Sequence, residues 1–203
     1  MLLGVDVVLG PLITLIIFNT KKKHLKLDLA VIATLQLAAL VYGLSVIIQA
    51  RPVYVVFVVD RFDLVLASDI AAEELARASS TEFSHLPIVG PRLVSVDFPS
   101  DPRERERVLM SALEGGADLE DFPQYYLRYE DRKERARGKA HPLSELRKLN
   151  PEKRAVIDKS VKASGFEEDQ IAWLPLNAKK EDMAVLLNAK TGDLLSVVPV
   201  LPW

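Results

Sequence analysis

Two apolar runs crowd the first 50 residues, and a soluble globule has no natural use for both. Residues 2–18, LLGVDVVLGPLITLIIF, are broken only by the polar side chains of Asp6 and Thr14, and Leu29–Ile48 only by Thr34, Gln36 and Ser45. At ~1.5 Å per helical residue the second run reaches ~30 Å, the thickness of a bilayer's hydrocarbon core, and the first sits near the lower limit for spanning. One such run could be a buried core helix; two in succession read as a transmembrane helical hairpin. The connection NTKKKHLKLD carries Lys21, Lys22, Lys23 and Lys26, and the positive-inside rule places that loop in the cytoplasm. Everything after Arg51 is then expected on the far side, the periplasm for a bacterial inner membrane. The first helix would start outside with no segment ahead of Met1, which points to a further membrane helix upstream.

Polar and small residues inside lipid need a partner or a close-packed neighbour. Asp6, Gly10 and Thr14 are spaced i, i+4, i+8 on one face of the first run. Ala39 and Gly43 form a small-x-x-x-small pair on the second, with Gln36 on nearly the same face. These faces either pack on each other or present a surface to the membrane helix of another protein.

Charge divides the chain at the same point. Residues 1–50 carry a net +2 and residues 51–203 a net −4. The bases of the second part alternate with acids, which argues against nucleic acid as a partner. Cysteine is absent, so disulfides, thiolate metal sites and cysteine nucleophiles are excluded. The three histidines, His24, His85 and His141, have no metal-ligand spacing, and no phosphate-binding glycine loop or nucleophile elbow occurs. The adjacent acids Glu120–Asp121 and Glu167–Glu168–Asp169 read as surface solvation. An enzyme is not expected, nor a cofactor.

Residues 51–203 read as an extracytoplasmic α+β domain with a mostly antiparallel sheet. VYVVFVV (53–59) and DLVLA (63–67) predict two strands joined by a tight turn at Asp60–Arg61. Asp69 is placed to cap a helix through IAAEELARA, and Pro87 and Gly90–Pro91 punctuate the stretch after that helix. RLVSVDF (92–98) alternates as a strand. Asp101–Pro102 opens a charged helix stopped by Gly115–Gly116. Asn150–Pro151 is placed to open another, from Glu152 to Ala163, ended by Gly165. QIAWLPL, MAVLLN and DLLSVVPV read as strands, with Pro175 and Pro199 best suited to strand ends or edges. In 118–139 the aromatics, Tyr125, Tyr126 and Tyr129 among them, either cover the core or form a partner-facing patch, Tyr being favoured at interface hot spots.

DVVLGPLITLIIF (6–18), LKLDLAVIATLQLAALVYG (25–43) and ARP (50–52) resemble the type IV pilin accessory proteins of the TfpX/TfpZ kind. The shared pattern is Asp6, Gly10, Pro11 and Thr14 in one membrane helix and Asp28, Ala30 and Gln36 in the next. VVFVVDRFDLVLASDI (55–70) extends the likeness more loosely. Members usually have a further membrane helix ahead of the segment matching 2–18. The resemblance implies a bacterial inner-membrane protein with two parts, a hairpin over 1–50 and a periplasmic domain over 51–203. It implies a non-enzymatic accessory protein or chaperone that binds a type IV pilin subunit for pilus assembly, with membrane lipid and other pilus-assembly proteins as further contacts. Asp6, Gly10, Thr14, Gln36, Ala39 and Gly43 are the membrane-face candidates, and Tyr125, Tyr126 and Tyr129 the outer ones. The alternative class is a membrane-anchored periplasmic sensor or small-ligand-binding domain, which requires a concave apolar pocket.

Overall fold

The computed structural model describes residues 25–179 and 181–203, and the chain divides into two compact units, Met1–Ala50 and Arg51–Trp203. In the first, helix α1 (Leu25–Gln49) is continuous through the second apolar run. Its stretch Leu29–Gln49 is long and apolar enough to cross a membrane by length and composition. The other half of the expected hairpin, residues 2–18, lies outside the described residues, as does the lysine cluster 21–23.

The second unit is built on one eight-stranded sheet. Its strands are β1 (Pro52–Val58), β2 (Arg61–Leu66), β3 (Arg92–Val96), β4 (Tyr126–Arg128), β5 (His141–Pro142), β6 (Ile171–Asn177), β7 (Asp182–Asn188) and β8 (Leu194–Val198). They lie in the order β4-β3-β1-β2-β6-β7-β8, with β5 on β6. The sheet is mixed: β1 runs parallel to β3 and β2 parallel to β6, while the other five pairings are antiparallel. A sheet read as mostly antiparallel therefore contains two parallel joints, each needing a long crossover that periodicity does not reveal.

Helices α2 (Ala72–Ala76), α3 (Pro102–Leu113), α4 (Lys133–Lys139), α5 (Leu143–Leu149) and α6 (Arg154–Ser164) occupy those crossovers. Central strands are apolar on both faces because both are covered. On one face Tyr54, Val56, Val65 and Val94 pack with Val108 of α3 and with Leu119, Phe122 and Tyr126. Further along that face Trp173, Ala184 and Leu186 meet Leu143 and Leu146 of α5 and Ile157 and Val161 of α6. The opposite face gathers Val55, Phe57, Phe62, Leu174 and Val185 under Tyr129 and Ala136 of α4.

Several local expectations hold. Asp101 caps α3 by accepting from the Arg103 N–H at 2.9 Å, and Gly165 ends α6 in the left-handed region at φ 74°. Others are corrected. The Asp69 carboxylate accepts from the Leu66 N–H and pairs with Lys179 at 2.6 Å, so α2 starts after Ala71 with no side-chain cap. Asn150 is buried; its amide joins the Leu146 carbonyl to the backbone of Leu201, and α6 begins later, at Arg154. Pro175 stands inside β6, between the stretch paired with β5 (Ala172, Trp173) and the one paired with β2 (Leu176, Asn177).

The β1–β2 turn falls on Val59–Asp60, one residue earlier than expected, and Val59 is held at φ 51°. The Asp60 N–H donates to the Val58 carbonyl across it. A β-branched side chain at positive φ is disfavoured, at a cost of about 1–3 kcal/mol. Val59→Gly is expected to raise the unfolding free energy by about 1 kcal/mol, the relief exceeding glycine's entropic cost. Denaturant unfolding of the detergent-solubilised chain, followed through tryptophan emission, measures it.

Candidate partner-binding surfaces

On α1 the residues divide by face. Gln36, Ala39 and Gly43 recur at i, i+3, i+7 and share one side. Thr34, Leu37, Val41 and Ser45 follow the same spacing on the other. Both hydroxyls are spent on the helix itself, Thr34 donating to the Ala30 carbonyl at 2.8 Å and Ser45 to that of Tyr42 at 2.7 Å. The Gln36 side chain makes no hydrogen bond among the described residues, and beyond the helix's own backbone no described atom lies within 4 Å of where a Gly43 side chain would begin. Asp6, Gly10 and Thr14 lie outside the described residues.

The three outer tyrosines separate. Tyr126 is 2% exposed and Tyr129 3%, so neither belongs to an exposed patch. Tyr126 packs edge-on against Tyr54 at 5.0 Å between ring centres and donates its hydroxyl to the Glu120 carbonyl. Tyr129 sits against Phe57 and Phe62 and donates to the Gly192 carbonyl at 2.7 Å. Burial pushes both phenols above their ordinary range. An aromatic with one buried hydrogen bond anchors its segment to the core, which is what the 118–131 segment needs. Tyr125 is half-buried, donating to Glu104 at 2.6 Å in a network where Arg107 bonds Glu104 and Glu74 and Gln124 bonds Glu74. That hydrogen bond and then Arg107 hold the Glu104 carboxyl below its usual range.

Two exposed apolar groups carry no sequence signature. Leu109, Met110 and Leu113 line the outer side of α3, Leu113 being 81% exposed. Ile88 and Val89 stand in the loop before β3. A cleft of about 580 Å³ beside β5 and α5 is lined by His141, Arg147 and Glu168 among others. Its Arg147 is held by Asp158 and Glu168, and its His141 lies on Trp173 at 5.2 Å. His85 is remote in sequence from that cleft and contacts Ser84, whose hydroxyl also donates to the Thr81 carbonyl. Among the described residues no His, Asp and Glu side chains group as metal ligands would.

The acids read as solvated, Glu120 and Asp121, are instead largely buried, and Glu120 Oε2 and Asp121 Oδ1 have no hydrogen-bond partner among the described residues. Burial, with the Asp63 charge next for Glu120, pushes Glu120 up to about 7 and Asp121 up to about 6. Raised folded-state values mean the native domain holds protons that the unfolded chain releases. Stability from these groups is therefore full only below the unfolded values of 3.8 for Asp121 and 4.5 for Glu120, and is lost as pH rises through 6–7. Carboxylates held low by partners, such as Glu82 and Glu104, act in the opposite sense at more acid pH. Glu120→Gln is expected to stabilise the chain by about 1–2 kcal/mol at pH 8, allowing for partial solvent access, and to change little at pH 5. Thermal unfolding across that range measures both.

Comparison with known proteins gives the frame for these surfaces. The chain is 32% identical over 203 residues to the fimbrial assembly protein of serogroup I of Dichelobacter nodosus, covering 98% of this chain and 78% of that protein. It is 31% identical to the serogroup E1 protein, over 97% and 77%. The serogroup C1 and C2 protein matches 77 residues at 42% identity, 37% of this chain and 59% of that protein. No family model matches, and no solved structure does. Relatedness at this level along nearly the whole length decides the matter: the chain belongs to the fimbrial assembly proteins, accessory components of type IV pilus building and not enzymes.

Proposed function

We propose that this chain is a membrane-anchored accessory protein that binds a type IV pilin subunit and stabilises it for assembly. In this reading 1–50 is the inner-membrane hairpin and 51–203 the periplasmic domain. The observation that carries it is the relationship to fimbrial assembly proteins over 98% of the chain. A pilin awaiting assembly exposes an apolar helix in the membrane and a globular head outside it. The Gln36–Ala39–Gly43 face suits the helix, since small residues admit close approach and an amide can bond across it. Outside the membrane Tyr125 and the exposed side of α3, Leu109, Met110 and Leu113, are the contact candidates. Binding at these faces masks apolar surface that otherwise aggregates, and release follows when pilin–pilin contacts replace it.

Photocrosslinking in cells with probes at Gln36 and Leu113, then identification of the captured protein, tests this. Capture of pilin at either position, lost when the pilin is deleted, is the expected result. Unchanged pilin level and pilus assembly in a strain lacking this protein would overturn the reading. Gly43→Leu meets no described neighbour within 4 Å, so it is expected to lower the yield of pilin captured at Gln36 without lowering the level of the protein itself. Immunoblots of both proteins check this.

A further inference from the structure

We propose that the loop Pro87–Pro91 is a second membrane contact, placing Ile88 and Val89 in the outer leaflet of the bilayer that α1 spans. The inference rests on the reading of α1 as a membrane helix and goes beyond it. Ile88 and Val89 are 90% and 91% exposed, the most exposed large apolar side chains of the domain. Scattered surface aliphatics need no explanation. These two are adjacent and are displayed by a built loop. Pro87 and Pro91 bracket them, and Gly90 turns the chain at φ 62°. Before the tip, Leu86 packs on the core and the Tyr54 hydroxyl donates to the His85 carbonyl at 3.3 Å. After it, Arg92 bonds the carbonyl and carboxylate of Glu82. The stem is thus fixed while the tip has nothing to pack against.

Sheet topology shows which end of the domain presents the tip. β1 and β3 are parallel, with Tyr54 beside Arg92, so the loop entering β3 lies at the end of the sheet where β1 begins. Only Ala50 and Arg51 separate β1 from the last residue of α1. Three peptide units reach at most about 11 Å, so covalent connection keeps that end of the sheet close to where a spanning α1 leaves the bilayer. With α1 read as a spanning helix, lipid is then the surface within reach of the apolar tip. Two aliphatic side chains dipped at the headgroup boundary suit that position.

The chain has no cysteine, so single cysteines report cleanly. Ile88→Cys, Leu40→Cys and Asp60→Cys, each carrying an environment-sensitive fluorophore, are made in the full chain. Each is reconstituted into vesicles of phosphatidylethanolamine and phosphatidylglycerol, with or without acyl-chain spin-label quenchers. Asp60 lies in the β1–β2 turn at the far end of the sheet. The expected result is loss of emission at positions 40 and 88 and none at 60. Quenching at 40 with none at 88 overturns the loop contact and leaves α1 in the membrane. A blue shift at 88 without lipid quenching shows a protein covering the tip and also overturns it. No quenching at 40 removes the spanning helix and the proposal with it. Ile88→Ser with Val89→Ser is a second check: it is expected to raise quenching at 60, as the domain loses its second tether, and unchanged quenching there overturns the contact.

Discussion

The domain depends on the joint between β2 and β6, where two halves of the sheet meet through only two register pairs, Phe62–Leu176 and Asp63–Asn177. On one face the ring of Phe62 closes the apolar cluster beneath α4. On the other Asp63, 2% exposed, is gripped by Asn177 at 2.9 Å and Arg61 at 3.0 Å. Burial, with a smaller push from the Asp118 charge, drives the Asp63 carboxyl up; Arg61 and Asn177 pull against it. A slip of one residue in this pairing would turn Asp63 into the apolar face and Phe62 out of it. A buried polar contact here contributes more to alignment than to net stability. The packing of α3 on one half and of α5 and α6 on the other is set by that alignment.

How much of this could be read from residues depends on whether the signal is local. Strands β1, β2, β3, β6, β7 and β8 were legible because their apolar runs are short and bounded by turn residues. The α3 cap was legible because Asp–Pro acts within one turn of helix. Asp69 and Asn150 misled for one reason: a side chain suited to capping is equally suited to a distant partner, and Lys179 and the Leu201 backbone were the better partners. The parallel joints were illegible, since strand pairing across a long crossover leaves no mark in either strand.

The candidate surfaces show the same division. The small and polar face of α1 follows from helical spacing alone. Tyr126 and Tyr129 carried the composition of an interface, yet the segment holding them consists of three-residue turns and one short strand, and such a segment is fixed only by rings sunk into the core. Glu120 and Asp121 looked solvated because adjacent acids usually are; here a turn capped by Asp118 draws them beneath the chain. The exposed apolar groups on α3 and at Ile88–Val89 gave no warning, because exposure is a property of what fails to pack against a residue.

The β2–β6 joint also bears on the order in which this domain can be completed. The partners of its buried hydrogen bond are 114 residues apart in the chain, and β6 to β8 follow all the other strands in sequence order. Until they form, the β1–β2 hairpin presents the unpaired edge of β2, a strand rich in apolar residues and able to recruit any extended strand nearby. The domain thus passes through an interval in which that edge is unguarded, and closure of its sheet waits on the residues from Ile171 to Trp203.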